Sequence, residues 1–132
     1  MITKEQLLET IRNDKACQNG LEPIFSILLM TKSGNDELIF QREGKEVPSG
    51  WPDFGDFEEV GFFYDIDSAV RAVHENWADI QDQAFHAAFI LCRFPGLYNR
   101  THKGMRMYFR WDPDAGCFVQ QEEPPFWGHI LL

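Results

Sequence analysis

The chain predicts an α+β fold, with a mostly antiparallel sheet that ends in three consecutive C-terminal strands. An N-terminal helix and one main amphipathic helix pack on one face of that sheet. Three stretches carry this expectation. Ile66, Ala69, Val70, Val73, Trp77 and Ile80 recur at the 3.6-residue period of a single helical stripe. Phe85 to Phe94 is apolar on both alternating sides, as in a central strand covered on each face. Met105 to Trp111 alternates, with Met105, Met107, Phe109 and Trp111 on one side and Arg106, Tyr108 and Arg110 on the other.

Taken in order, the first element is a helix over about 3 to 13. Thr3 can cap it, Gln6 can answer as the far side of a capping box, and Ile2 can staple onto Leu7. Residues 15 to 30 fit either a helix or a buried strand over Ile24 to Met30. The turn Ser33-Gly34-Asn35-Asp36 before Leu38-Ile39-Phe40 favours the strand, in a hairpin. Gly44, Pro48, Gly50, Pro52, Gly55 and Gly61 make about 43 to 61 a long loop or arm, which serves function or tethers a partner. Asp65 or Asp67 caps the main helix that follows.

Pro95-Gly96 ends the central strand, and Asp112-Pro113-Asp114-Ala115-Gly116 reads as a five-residue hairpin loop. Its return strand runs from Cys117 to about Glu122 and stops at Pro124-Pro125. With Trp111 opposite Cys117, Tyr108 faces Gln120 and Arg106 faces Glu122. The whole, 1–132, reads as a single domain, and at 132 residues with 44% hydrophobic content it can bury roughly two-thirds of its unfolded surface.

Composition narrows the function. Twenty-one acids against 12 bases give a net charge of -9, which argues against duplex DNA as partner, because phosphate neutralisation needs surplus Lys and Arg. The three cysteines, Cys17, Cys92 and Cys117, form no C-x-x-C pair, so the sequence suggests neither a disulfide framework nor a zinc ribbon. With no secretory h-region and no apolar run long enough to span a bilayer, a cytoplasmic protein away from membranes is expected. The Asn99-Arg100-Thr101 sequon would matter only after secretion. Phosphate-binding, dinucleotide-binding, zincin, nucleophile-elbow and EF-hand motifs are all missing, and no catalytic residue, metal ligand or cofactor is assigned.

Charge order is the unusual feature. From Asp53 to Asp67 there are six acids (Asp53, Asp56, Glu58, Glu59, Asp65, Asp67) and no base, interleaved with Phe54, Phe57, Phe62 and Phe63. From Arg93 to Arg110 there are five bases (Arg93, Arg100, Lys103, Arg106, Arg110) with His102 and no acid. The acidic arm, through Asp53, Phe54, Asp56, Phe57, Glu58 and Glu59, is either a partner-binding segment or a loop whose Phe residues close the core.

The basic stretch has two readings as well. Arg93, Tyr98, Arg100, His102, Lys103, Arg106, Tyr108 and Arg110 suit a small anionic ligand such as a phosphate or nucleotide, with guanidinium forks on the anion and a tyrosine stacked on a base. Alternatively Arg106 pairs with Glu122 and the rest is solvated. His74, on the polar face of the main helix between Arg71 and Glu75, reads as a solvated side chain. Cys92 and Cys117 read as buried neighbours in the sheet.

The order Asp67-x-Ala69-Val70, Asn76-x-x-Asp79-Ile80, Ala88 and Ile90, Gly96-Leu97-Tyr98, Tyr108-Phe109-x-Trp111 and the Asp112 to Cys117 hairpin resembles a pattern in small uncharacterised proteins of gut Firmicutes and their phages. The resemblance spans Phe62 to Glu123, about half the chain, and brings no catalytic residue. For phage-borne members it implies an interaction or anti-defence role. A non-enzymatic interaction or regulatory protein, self-associating or inhibiting a basic partner, therefore ranks first. The anionic-ligand binder ranks second, and an enzyme with a scattered acid-base pair such as His102 and a distant carboxylate ranks last.

Overall fold

A computed structural model describes residues 1–31, 57–75, 85–97 and 105–123. Helix α1 (Lys4–Arg12) and the single turn α2 (Lys15–Gln18) precede strand β1 (Ile24–Thr31). Strand β2 (Phe57–Phe63), helix α3 (Ile66–Glu75) and strands β3 (Phe85–Arg93), β4 (Arg106–Asp112) and β5 (Cys117–Gln120) follow. The five strands form one antiparallel sheet in the order β2-β1-β3-β4-β5.

α1 forms where its local chemistry places it. Thr3 Oγ1 accepts from Gln6 N at 3.2 Å, and Thr3 N donates back to Gln6 Oε1 at 2.9 Å, so two amide donors at the helix start are satisfied. α3 starts on Asp65, whose carboxylate accepts from Ser68 N at 2.8 Å and Ser68 Oγ at 2.9 Å. The first turns of α1 and α3 are tied together by Lys4 Nζ donating to Asp67 at 2.7 Å.

Both helices lie against one face of the sheet. Leu7 and Ile11 of α1, with Ile66, Ala69, Ala72 and Val73 of α3, pack onto Phe25, Ile27 and Leu29 of β1, Ala88, Ile90 and Cys92 of β3, Met107 and Phe109 of β4, and Phe118 of β5. The register explains why these residues share a face. Ile27 sits opposite Ile90, which sits opposite Met107, and Leu29 opposite Ala88, which sits opposite Phe109. β3 is the middle strand, and residues 87–92 are buried on both faces, as its continuous apolar run implies.

Four expectations need correction. Phe57 to Gly61 is strand and not loop, and the rest of the 43–61 stretch lies outside the described residues. Strand periodicity hides there because Gly61, at φ 68, is a bulge that breaks the alternation. The bulge lets Val60 and Phe63, three positions apart, both face the helices, opposite Ile27 and Phe25. β1 takes the strand reading of its stretch, bordered by β2 and β3, and the expected hairpin partner at 38–40 lies outside the described residues.

The β4–β5 register differs by one residue from expectation. Trp111 faces Phe118 and Asp112 faces Cys117, because the turn holds four residues and not five. Gly116 N donates to Asp112 O at 2.8 Å, and the Asp112 carboxylate accepts from Asp114 N and Ala115 N. A one-residue slip exchanges the faces of the whole strand. Here it buries Phe118 completely against the helices, where the other register would have placed the smaller Cys117.

The cysteine expectation falls with that register. Cys92, opposite Phe25, faces the helices, whereas Cys117 sits on the edge strand opposite Asp112, so the two are not neighbours. His74 is also more than a solvated side chain. Its ring stands edge-on to Phe109 at 5.7 Å, and its Nδ1 lies 3.1 Å from Phe118 O, so the ring joins α3 to β5.

Candidate functional site

On the sheet face turned away from the helices, alternation brings together Ser26 and Leu28 of β1, Ala87, Phe89 and Leu91 of β3, and Arg106 and Tyr108 of β4. All are buried, including the arginine, whose side chain is 1% exposed. A face holding a fully buried guanidinium requires a counter-charge and hydrogen-bond acceptors. Glu123, just past β5, supplies its carboxylate to Arg106 Nε and Nη2. The guanidinium also lies 5.3 Å over the Phe89 ring, and Phe89 in turn packs on Tyr108 at 5.1 Å.

Glu123 takes this place, and Glu122 does not, because of the one-residue shift in register. Gln121 N still bonds Tyr108 O beyond the end of β5, which carries Glu123 to the position across from Arg106. The sequence expectation of a cross-strand pair for Arg106 is met in kind and corrected in partner.

A second ion pair lies toward the β2 edge of the same face. Arg93 Nε donates to Glu59 Oε1 at 3.1 Å, and the buried Ser26 Oγ donates to the same oxygen at 2.6 Å. Partial burial pushes the Glu59 carboxyl up, but the hydrogen bonds from Ser26 and Arg93 outweigh it and hold the group below its ordinary 4.5.

Beside Arg106 opens a cleft of about 410 Å³, lined by Met1, Ile2, Arg106, Tyr108, Gln121, Glu122 and Glu123. Its wall is held by Gln120, whose side-chain amide donates to Ile2 O. Of the anion-site candidates, Arg106 and Tyr108 meet at this cleft. Arg93 is engaged by Glu59, and Arg110, half-buried, lies toward the opposite end of β4. Tyr98, Arg100, His102 and Lys103 lie outside the described residues.

The partner-binding candidates divide similarly. Asp53, Phe54 and Asp56 lie outside the described residues, while Phe57, Glu58 and Glu59 belong to the edge strand β2. Glu58 is exposed, and Glu59 is turned onto the sheet by Ser26 and Arg93. Two aromatics stand out on this edge: Phe62 is 67% exposed and Tyr64 is 92% exposed. Tyr64 was not singled out from sequence, although the run Phe62-Phe63-Tyr64 after a bulge glycine is a signal for it, since the bulge sends Phe63 inward and leaves its neighbours out.

Other chemistry is scarce on the described surface. Among the described residues no cluster of His, Cys, Asp and Glu is placed to hold a metal ion, and no helix is long and apolar enough to cross a membrane. Burial pushes the Cys92 thiol up to about 12, the opposite of what a nucleophile needs. No protein family, curated protein or solved structure matches the chain.

Proposed function

We propose that this chain is a small acidic interaction or regulatory protein, of the inhibitor type, that works by binding and not by catalysis. The observation that carries this is the exposure of Phe62 and Tyr64 at the end of the edge strand β2 in a chain with net charge -9. Aromatic side chains give burial to a contact, and surrounding carboxylates steer a basic partner. The contact is made by side chains and not by strand addition. The Gly61 bulge and the inward-turned Glu59 are devices that protect an edge strand from pairing with another chain.

A second reading, a protein that binds a phosphate or nucleotide, draws on the cleft lined by Arg106 and Tyr108. Its difficulty is electrostatic, because an incoming anion has to displace Glu123 from the guanidinium. The free thiols of Cys17, Cys92 and Cys117 support a reducing, cytoplasmic setting. The resemblance of Phe62 to Glu123 to proteins of gut Firmicutes and their phages fits an interaction role. Self-association would join the acidic arm of one copy to the basic stretch of another.

Affinity capture from a lysate of the source cell tests the leading proposal, using the wild-type chain and a Phe62→Ser/Tyr64→Ser variant of equal charge as baits. The expected result is a protein retained by the wild type and lost by the variant. Identical captures by both baits, together with a nucleotide or phosphate whose binding depends on Arg106, would move the assignment to the second reading.

A further inference from the structure

The turn that ends α2 needs one particular residue type. Asn19 is the C-cap, at φ -83 and ψ 8, and Gly20 follows it at φ +88. Gly20 N donates to Cys17 O at 3.0 Å and Leu21 N donates to Ala16 O at 3.1 Å, the paired bonds of a Schellman cap. The left-handed position of that cap suits Gly, which has no Cβ to clash. The fold therefore sets an Asn directly before a Gly.

That dipeptide carries a reaction of its own, since asparagine is a thermolabile side chain. The backbone nitrogen of Gly20 attacks the amide carbon of Asn19, ammonia leaves, and a succinimide ring closes. Water then opens the ring at either carbonyl, giving Asp or isoaspartate, so no co-reactant besides water is consumed. Glycine favours the attack because no side chain hinders its nitrogen and its backbone turns freely. Both residues are exposed, and a Cβ built on Gly20 would meet nothing within 4 Å, so water has access to the ring. Asn13, the other asparagine among the described residues, precedes Asp14, whose side chain obstructs the same attack.

Folding slows the reaction in two ways. The attacking nitrogen is bonded to Cys17 O, and at ψ 8 it is turned away from the Asn19 side chain. Attack requires the cap to open. α2 is a single turn of four residues, too short to hold itself together, so local opening supplies the reactive geometry.

The isoaspartate product cannot rebuild the cap. Its chain runs through the former side-chain carbonyl, which inserts a methylene ahead of Gly20 N and carries Gly20 and Leu21 away from Cys17 O and Ala16 O. Ala16 and Cys17 pack on the core cluster that contains Cys92. We propose that Asn19-Gly20 is a self-modification site, whose slow and irreversible conversion to isoaspartate unlatches α2 from the sheet and adds a negative charge to a chain of net charge -9.

The full chain, incubated at neutral pH with and without guanidinium chloride and followed by peptide mapping that separates Asp from isoaspartate, supplies the test. Loss of ammonia at Asn19 is expected in the folded chain, roughly tenfold faster when denatured because no cap has to open, and absent in Asn19→Gln. The folded isoaspartate form is expected to be alkylated at Cys92 several-fold faster than the unmodified chain. Asn19→Asp, which keeps the ordinary backbone, is expected to match the unmodified chain.

An intact Asn19 in the folded chain, after the denatured chain has been converted, would overturn the site. Equal rates in the two states would overturn the control by the α2 cap. Unchanged alkylation of Cys92 in the isoaspartate form would overturn the unlatching.

Discussion

Replacing Glu123 with Ala removes the carboxylate from a guanidinium that is almost wholly buried. The Arg106 side chain is 1% exposed and the Glu123 side chain 10%, so the pair lies in the regime of buried ion pairs, where loss of one member is costly. Such losses cost about 3–5 kcal/mol. Arg106 keeps its contact with the Phe89 ring at 5.3 Å, which places the expected cost near the lower bound, about 3 kcal/mol. Against a total stability on the order of 5–15 kcal/mol, that is a large fraction.

Urea unfolding followed by circular dichroism measures the change, and an unaltered slope shows that the same surface is exposed on unfolding. Glu123→Ala is expected to lower the midpoint strongly. Arg106→Met/Glu123→Leu is expected to recover most of the loss, because an apolar pair of similar volume carries no desolvation penalty. A loss below about 1 kcal/mol for Glu123→Ala, the range of exposed ion pairs, would refute the view of Arg106 as a buried charge held by Glu123.

Gly61→Ala forces a side chain into the left-handed region at φ 68, and a loss of roughly 1–2 kcal/mol in the same urea assay is expected. Glu59 titrates below its ordinary 4.5 in the folded chain, so its contribution is present above that value and disappears as pH falls through the lowered folded pKa; Glu59→Gln should flatten this part of the acid-stability curve. Cys92, buried and with its thiol pushed up to about 12, should resist alkylation at neutral pH until the chain unfolds, whereas the part-exposed Cys17 and Cys117 react before it, as peptide mapping would show.

Local chemistry was legible in the residues and long-range pairing was not. The Thr3/Gln6 box, the Asp65 cap and the two-sided apolar run of β3 each need only neighbours in sequence, and each stands where the pattern put it. β2 escaped notice because one bulge at Gly61 breaks the two-residue period on which strand recognition depends. The β4–β5 slip turned on one turn residue, with burial of Phe118 deciding the register.

The candidate site shows the same division. Alternation correctly placed Arg106, Tyr108 and Arg110 on one face, away from Met107 and Phe109. Charge counting along the chain made Arg93 and Arg106 look like a basic patch, but folding brings each a carboxylate. Glu59 arrives from 34 residues away and Glu123 from 17, and neither separation is visible as a local pattern. The exposure of Tyr64 likewise follows from where β2 ends in the sheet.

Native mass spectrometry of the freshly purified chain tests most directly whether it acts by binding a protein or a small anion. Polypeptide mass without a small-molecule adduct, accompanied by a co-purifying protein complex that Phe62→Ser/Tyr64→Ser dissolves, is the predicted result. A retained phosphate or nucleotide mass that vanishes in Arg106→Met/Glu123→Leu would contradict the account and make the Arg106 cleft the functional site.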